Sequence, residues 1–383
     1  MKVPPYCPNV ECRYHFPKNP KHSAKPWFWK IGTRVSQTNP VPIQRYKCKG
    51  CGRQFSESTF SVNYYSKKVI NLKKLMDCLV SGMSVRAMGR FFGCSPNTIN
   101  RKLGVLARQS AVLLQYVHEH LRLNEDLAAD GFESFAVSQY FPNNFNFLVG
   151  KDSQYVYHFN YVQLHRKGRM TEYQKKKAAE LRKKWPIRKN NELIGFMEIE
   201  QKIMELAMNN PELEHLTVFT DEKREYRQCL MYREPVKRYD GSSFNLCQKR
   251  INSKKHRDLR NELFPVNYIE REIRKDLAEH HRETTCFARN VNSSVVRMMV
   301  YLLYHNFIKP YRLNKCRQKS GSHAEAAGIP GEIYRDKIAH IFQKRFFISH
   351  YELRGNNEMT WCRAYQTPLK TLTDYSPAYA LAG

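Results

Sequence analysis

Two aspartates of this 383-residue chain are placed where they could hold a divalent cation. Asp130 lies in LAADGFESFAVS, a run typical of a strand entering a turn, and Asp221 ends the short apolar strand HLTVFTD. If these strands are neighbours, both carboxylates converge at one edge of the sheet, where a bridging cation stabilises them. Oxygen ligands suit Mg²⁺, and two such ions activate an attacking oxygen and stabilise a leaving one. Glu133 and Glu222 are close alternatives for these two positions.

A third carboxylate is expected from a helix packed on that sheet, and the segment 267–284 is the candidate. Its apolar positions recur every fourth residue and form one buried stripe: Ile269, Ile273 and Leu277. At about 100° per residue, Glu270 and Asp276 lie about 60° from the centre of this stripe, whereas Glu272 lies about 100° away. Helix geometry therefore favours Glu270 or Asp276 over Glu272.

Hydrophobic patterning predicts the elements that position these carboxylates. The runs 127–138, 146–150 and 155–162 indicate a three-stranded antiparallel meander. A long basic helical stretch covers about 170 to 208, and the strand 215–221 follows it. Strands and helices in this order predict an α/β domain.

Charge is distributed unevenly along the chain, which carries 64 Lys and Arg against 35 Asp and Glu, a formal net charge of +29. Residues 1–124 are net +17 and residues 163–194 are net +8, whereas 125–162 is net −4 and 195–222 is net −6. Such a positive excess calls for an anionic partner, and nucleic acid is the first candidate because each phosphate contact releases a counterion. The acidic stretches within a basic protein indicate a metal site beside a nucleic-acid surface.

Two cysteine pairs near the N-terminus predict a structural zinc site. Cys7 and Cys12 form CPNVEC, and Cys48 and Cys51 form CKGC. Two close pairs, each on its own turn, can place four thiolates at the corners of the tetrahedron that zinc requires. Two histidines are weaker alternatives as ligands: His15 and His22. A closed four-sulfur site has no open position, so we expect it to support folding rather than catalysis.

A helix-turn-helix is predicted after the cysteine module. Apolar residues recur with helical spacing from Ser66, Ser84 caps a short second helix, and Ser95-Pro96 starts a third. An ordinary three-helix bundle with a solvated basic face is the alternative. In a helix-turn-helix, the start of the third helix reaches base edges in the major groove. The residues expected to contact DNA there are Asn97, Thr98, Asn100, Arg101 and Lys102.

These motifs together resemble a known family. The segment YIEREIRKDLAEHHRETTCFARN resembles the ER…R…RxT…FSR signature of bacterial insertion-sequence transposases of the DDE type. HLTVFTDEKREY resembles their second-aspartate strand and LAADGFESF their first. A cysteine-pair zinc module followed by a helix-turn-helix also resembles their N-terminal half, so the resemblance covers most of residues 1–310.

The resemblance implies a function and a set of catalytic residues. Asp130, Asp221 and Glu270 would be the catalytic triad of an RNase H-like (retroviral integrase-like) domain. Two Mg²⁺ ions held by this triad would serve cleavage of transposon ends and joining of the 3′-hydroxyl to target DNA. Since two ends must be brought together, the active form is expected to be a homo-oligomer on double-stranded DNA.

Basic residues beyond the third carboxylate fit this chemistry independently. Four arginines recur along or just after the candidate helix: Arg271, Arg274, Arg282 and Arg289. Guanidinium groups contact phosphates in a bidentate way and could hold a DNA strand in line with the metals. The basic run 166–190 could lie along transposon-end DNA. A solvated basic face is the alternative for both sets.

The expected organisation is a multidomain chain with four parts. They are a zinc-ribbon-like module (1–62), a helix-turn-helix DNA-binding domain (63–124), an α/β RNase H-like catalytic domain (125–308) with a basic helical insertion (166–210), and a C-terminal tail (309–383).

The prediction from sequence is therefore a metal-dependent DNA transposase. The alternative is a non-enzymatic, sequence-specific DNA-binding regulator derived from a transposase. The apolar run 298–308 has 11 residues, whereas a membrane span needs about 20, so it predicts a buried helix. The first residues lack the apolar core of a signal peptide, so we expect a cytoplasmic, DNA-associated protein without membrane contact.

Overall fold

A computed structural model of the chain describes most of its residues. The described ranges are 3–16, 26–36, 39–64, 66–232, 234–252, 254–282, 284–312 and 320–370. His22, a weaker candidate for zinc binding, lies outside them. The fold is mixed α/β, with a small sheet beside the N-terminal cysteines, a helical region and a six-stranded sheet. None of the helices in these ranges is both long and apolar enough to cross a membrane.

The N-terminal part is a three-stranded antiparallel sheet followed by three helices. The strands are β1 (Phe28–Ser36), β2 (Asn39–Cys48) and β3 (Gln54–Ser56), and the helices are α1 (Leu72–Val80), α2 (Val85–Phe91) and α3 (Pro96–His120). The predicted helix caps are present, since Ser84 Oγ accepts the N–H of Ala87 and Ser95 Oγ accepts the N–H of Thr98. Pro96 occupies the first turn of α3, where its missing N–H costs nothing.

The larger sheet has six strands in the spatial order β6-β5-β4-β7-β9-β8. Its strands are β4 (Leu127–Phe135), β5 (Pro142–Gly150), β6 (Val156–Gln163), β7 (His215–Thr220), β8 (Val236–Lys237) and β9 (Ser243–Arg250). Strands β4, β5 and β6 form an antiparallel meander, which confirms the prediction, and β7 pairs in parallel with both β4 and β9.

Helices connect and cover this sheet. They are α4 (Glu172–Lys184), α5 (Asn191–Met208), α6 (Arg224–Leu230), α7 (Phe264–Asp276), α8 (Val291–Phe307), α9 (His323–Ala326), α10 (Gly331–Ile341) and α11 (Gly355–Cys362). The basic stretch predicted as one helical region is two helices, because Pro186 cannot continue α4. Trp185, where α4 ends, donates from Nε1 to Gln163 Oε1 (3.0 Å) and so fixes the helix to the edge strand β6.

The helical region and the large sheet share one hydrophobic core. This core includes Leu106 of α3, Met299 of α8 and Phe147 of β5, all fully buried. Helix α8, the predicted buried helix, packs against both α1 and α3. The boundary expected at residue 124 therefore does not separate two independent cores.

The described part of the C-terminal tail packs against the N-terminal half and forms hydrogen bonds with it. Helices α10 and α11 pack on α3, where Arg108 donates from Nε to the carbonyl of Trp361 (2.9 Å). The N–H of Phe346 donates to Gln109 Oε1 (2.9 Å). His15 Nε2 lies 2.7 Å from Ser349 Oγ, so the tail also contacts the cysteine module. Residues 313–319 and 371–383 of the predicted tail lie outside the described residues.

Helix α7 ends earlier than the predicted 267–284, and a buried ion pair explains why. Leu277 adopts an extended backbone (φ −110°, ψ 114°), which turns the chain so that Glu279 reaches Arg297 of α8. Glu279 also accepts a hydrogen bond from Ser294 Oγ (3.3 Å). Burial opposes the charge of Glu279, but Arg297 and His280 outweigh it and lower the pKa of Glu279 to about 2.

Glu279→Gln is expected to lower the free energy of unfolding at pH 7 by about 3–5 kcal/mol, because it leaves the charge of Arg297 buried and unpaired. The folded pKa of about 2 lies below the ordinary 4.5, so this stabilisation is complete above about pH 4.5 and is lost as the pH falls towards 2. Urea unfolding of wild type and Glu279→Gln at pH 7 and pH 3 measures the free energy of unfolding at each pH. The difference between the two proteins should be smaller at pH 3 than at pH 7. Glu352→Gln, in an exposed pair with Arg354, is the control and should cost under about 1 kcal/mol. Equal losses of unfolding free energy in Glu279→Gln and Glu352→Gln would contradict a stabilising role for the buried Glu279–Arg297 pair.

Candidate functional site

The four predicted cysteines form one cluster that could bind a structural metal such as zinc. Their sulfur atoms all lie within 4.8 Å of one another, and the Cys7–Cys51 and Cys12–Cys48 sulfur pairs are 3.6 Å apart. Four sulfurs at about 2.3 Å from a shared zinc ion would lie about 3.8 Å apart, so the spacing fits that ion. A disulfide would need about 2.05 Å and is excluded.

Local turns bring the cysteines together. Gly52 has φ +75° and donates its N–H to the carbonyl of Cys48 (3.1 Å), which closes the CKGC turn. A Cβ at Gly50 would lie 3.0 Å from the Tyr14 ring and 3.3 Å from Cys12 Sγ, so this position needs glycine for close approach. Burial opposes ionisation of Cys51, but hydrogen bonds from the Arg53 backbone, Asn9 and the neighbouring cysteines together outweigh it and lower the pKa of Cys51 to about 7, which favours the thiolate that metals bind.

The histidine alternative for this cluster is placed differently by the structure. His15 is buried, and its Nδ1 lies 2.7 Å from the carbonyl oxygen of Cys7 while its Nε2 contacts Ser349. Both ring nitrogens therefore make hydrogen bonds that dock the module on the tail. Among the residues that the structure describes, the cluster consists of cysteines alone.

Asp130 and Asp221 are brought together by two adjacent parallel strands. Ala129 of β4 is in register with Thr220 of β7, and each aspartate is the next residue of its chain segment. The approach of β5 beside Asp130 requires Gly131, where a Cβ would lie 2.8 Å from Asn144 Nδ2. The two carboxylates predicted from the strand pattern thus share one edge of the sheet.

Two side chains from the segment after β7 contact these carboxylates, Lys223 just before α6 and Tyr226 within it. The ammonium of Lys223 lies 3.7 Å from Asp130 Oδ1 and 3.9 Å from Asp221 Oδ2. The backbone N–H of Lys223 donates to Asp221 Oδ1 (3.0 Å). The hydroxyl of the buried Tyr226 donates to the same oxygen, Asp130 Oδ1 (3.3 Å).

Glu270 is the carboxylate of α7 whose charge is coupled to Asp130. Helix α7 packs on β4 and β5, and burial followed by repulsion from Asp130 raises the pKa of Glu270 to about 8. Glu272 and Asp276 lie elsewhere, because Glu272 contacts Lys275 and Lys309 (2.6 Å each) and Asp276 contacts Lys275 (3.5 Å). Of the three candidates on this helix, Glu270 is the one whose pKa is affected by the charge of Asp130.

The electrostatics of the site link all three carboxylates. Burial first, and then the charge of Asp130, raise the pKa of Asp221. Burial also raises the pKa of Tyr226 well above its ordinary value, and the charges of Asp130, Asp221 and Glu270 raise it further. One buried hydroxyl therefore lies in the field of all three acids. Burial opposes the charge of Lys223, but the two aspartates outweigh it and raise the pKa of that ammonium.

Sequence reasoning missed three members of this site. Lys223 and Tyr226 follow Asp221 closely in DEKREY, and their proximity to a strand-end carboxylate was an available signal. Glu192, at the start of α5, adds negative charge near Asp221 and Lys223, but nothing in the pattern of α5 distinguishes it. The alternatives Glu133 and Glu222 are exposed.

The residues predicted to contact DNA at the start of α3 divide into two groups. Asn97 and Arg101 are exposed, and Thr98 and Asn100 are partly exposed. Lys102 differs, because it lies three residues after the buried Ile99 and so shares its inward face. Its ammonium donates to Asn63 Oδ1 (2.5 Å) and Ser66 Oγ (2.8 Å), and burial lowers the pKa of Lys102 to about 8.

The four predicted phosphate-contacting arginines lie on or after α7. Arg274 is half-buried, with its guanidinium 4.5 Å from the centre of the Phe132 ring, and its charge acts on Glu270. The other three are exposed: Arg271, Arg282 and Arg289. Of these four arginines, Arg274 is therefore the one whose charge lowers the pKa of a candidate triad residue, Glu270.

In the part of the chain that the structure describes, the cysteine cluster is the only group of three or more Cys, His, Asp or Glu whose ligand atoms all lie within 4.8 Å of one another. Asp130, Asp221 and Glu270 do not meet this criterion, so at least one pair of them is farther apart. A comparison of the chain with models of known protein families finds no match, and a comparison with curated proteins finds none either.

Proposed function

We propose that this chain is a DNA transposase with Asp130, Asp221 and Glu270 as its catalytic triad. The observation that carries the proposal is that Asp130 and Asp221 follow residues in register on two adjacent parallel strands, while α7, which carries Glu270, packs on β4. The order β6-β5-β4-β7-β9, with an antiparallel meander on one side and parallel strands on the other, supports an RNase H-like domain. In such a domain two acids come from adjacent central strands and the third from a helix packed on the sheet.

The donor set of the triad fits Mg²⁺. Its ligands are hard carboxylate oxygens, and the ammonium of Lys223 marks a place where positive charge is already held between two of them. Bound Mg²⁺ would activate an attacking hydroxyl or water and stabilise the leaving oxygen of a phosphodiester. Tyr226 keeps Asp130 oriented by its hydrogen bond, and Glu270, with its raised pKa, gains most from a nearby cation. Arg274, whose charge acts on Glu270, would contact a phosphate of the bound strand.

Recognition of DNA is assigned to the N-terminal half. The exposed start of α3 carries Asn97 and Arg101, which suit base edges and phosphates in a major groove. Zinc in the cysteine cluster would keep the small sheet folded beside it. The exposed basic helix α4 offers further phosphate contacts.

Arg101→Ala is expected to weaken binding to the DNA flanking the coding sequence about tenfold, and to reduce the slope of log affinity against log salt by about one. Fluorescence anisotropy at several salt concentrations measures both quantities. Arg122→Ala removes the same charge from an exposed position just beyond the other end of α3 and should change affinity less than twofold. If the two variants weaken binding equally, the start of α3 is not the recognition surface.

The proposed activity is tested by a cleavage assay. The purified chain is incubated with duplex DNA from both flanks of its own coding sequence, with and without Mg²⁺ or Mn²⁺. A duplex of equal length and unrelated sequence is the matched control. Nicks at defined positions that require the ion and the flanking sequence, followed by joined products, are the expected result. Cutting of both duplexes alike would indicate a structure-specific nuclease instead.

The alternative is a non-enzymatic, sequence-specific DNA-binding regulator. One observation favours it: the ammonium of Lys223 already offsets part of the negative charge of Asp130 and Asp221, so positive charge is held at the site without a divalent ion. A regulator would bind the flanking DNA specifically, with an affinity independent of Mg²⁺, and would produce no nicks in the same assay.

A further inference from the structure

The ammonium of Lys223 occupies the space between the two central carboxylates. It lies 3.7 Å from an oxygen of Asp130 and 3.9 Å from an oxygen of Asp221, and no other lysine or arginine of the described residues forms an ion pair with either acid. Its own backbone N–H is bonded to Asp221, so the residue is tied to the site at both ends. A cation that bridges two carboxylates from this position takes the place of a bound metal.

The surroundings of Lys223 explain why it stays there. Glu192 and Glu133 add to the negative potential of the two aspartates at its ammonium. The ammonium also lies 5.8 Å from the centre of the Tyr226 ring, whose hydroxyl is bonded to Asp130. With about a third of its side chain exposed, Lys223 can nevertheless swing towards solvent without disturbing the core.

We propose that Lys223 is a built-in counter-cation that competes with divalent metal for Asp130 and Asp221. The inference rests on the proposed function, because that function requires the metal. When metal binds, the displaced ammonium needs a new anionic partner, and a DNA phosphate is the partner that the reaction supplies. Metal binding and DNA binding are thereby coupled: each strengthens the other, and the coupling passes through one side chain.

The test is a calorimetric titration of Mn²⁺ into the full-length, zinc-loaded protein. Lys223→Ala should bind Mn²⁺ at least about tenfold more tightly than wild type, because a like charge about 4 Å from the ion has been removed. Lys223→Arg keeps the charge and should stay within about threefold of wild type. Lys151→Ala is the matched control, because it removes a similarly exposed lysine from an ion pair with Asp126, four residues before Asp130.

The coupling is tested in the same titration. A short duplex DNA should tighten Mn²⁺ binding to wild type several-fold and have a much smaller effect on Lys223→Ala. Equal Mn²⁺ affinity of wild type and Lys223→Ala would overturn the inference while leaving the proposed function intact, provided that Asp221→Asn lowers the affinity. Absence of carboxylate-dependent Mn²⁺ binding in both proteins would overturn the inference and the proposed function together.

A second measurement needs no variant of Lys223. Acetylation of wild type by a water-soluble succinimidyl ester, read by mass spectrometry, reports how accessible each lysine is. Saturating Mn²⁺ should speed the labelling of Lys223 several-fold and leave Lys151 unchanged as the internal reference. Labelling of Lys223 that is slower or unchanged with Mn²⁺ would show that the ammonium is not displaced.

Discussion

Asp221→Asn is expected to lower metal-dependent DNA cleavage by this chain by a factor on the order of 10³ or more, while DNA affinity stays within about twofold of wild type. The asparagine keeps the size of the side chain, and its Oδ1 can still accept the backbone N–H of Lys223, so the turn after β7 is preserved. What is lost is one of the negative charges that would hold Mg²⁺. Single-turnover cleavage of the flanking duplex, with anisotropy on the same duplex, separates the two effects.

The control for this variant is Asp126→Asn, which makes the same chemical change at the residue directly before β4. Asp126 accepts the N–H of Thr217 (2.9 Å) and pairs with Lys151 (3.6 Å), four residues before Asp130. Asp126→Asn should cleave at nearly the wild-type rate. If Asp221→Asn cleaves DNA at the wild-type rate, Asp221 is not a catalytic residue. If the variant loses DNA binding together with cleavage, the loss indicates misfolding.

Removing the metal of the cysteine cluster is expected to unfold the N-terminal module. Apparent binding free energies for structural zinc are about 10–16 kcal/mol near pH 7, which exceeds what a small three-stranded sheet supplies by itself. Cys48 is fully buried at the centre of the cluster, so Cys48→Ser should reduce zinc content from one ion per chain to almost none. Trp27, which packs in that module, should become exposed, with a red shift of its fluorescence.

Elemental analysis and tryptophan emission check this prediction. Cys247→Ser changes an exposed cysteine far from the cluster in sequence and should retain the full zinc content. A wild-type protein that purifies without metal, or a Cys48→Ser protein with an unshifted spectrum, would contradict it. Loss of the module should also release the tail contact between His15 and Ser349, so protease sensitivity is expected to rise near residue 349.

The sequence was sufficient for those features that depend on local patterns. Alternation of apolar residues predicted the meander, the strand ending at Asp221 predicted one edge of the site, and the cysteine spacing predicted the cluster. Cap residues such as Ser95 predicted where α3 begins. Each of these signals is carried by residues close together in the chain, except that the cysteine cluster joins two short motifs 36 positions apart.

Features fixed by distant contacts could not be predicted. Helix α7 stops at Asp276 because Glu279 pairs with Arg297 on another helix, a contact that periodicity within α7 does not contain. Lys102 is charged like its neighbour Arg101, but it is buried, and its ammonium donates hydrogen bonds to Asn63 and Ser66, 39 and 36 positions earlier in the chain. The docking of the tail joins residues separated by 253 positions in the case of Arg108 and Trp361.

Helix α3 has a geometric consequence for the proposed reaction. With 25 residues it is about 37 Å long, roughly the length of one turn of B-DNA, and most of it is embedded in the core shared with the sheet. The start of α3, which we propose recognises DNA, and the carboxylates that we propose cleave it are therefore joined through one continuous hydrophobic core. On the proposed function, this connection fixes the distance along the DNA between the bound sequence and the cleaved phosphate. Inserting about five base pairs between the bound sequence and the cut position would turn the scissile phosphate to the opposite side of the duplex, where the carboxylates could not reach it.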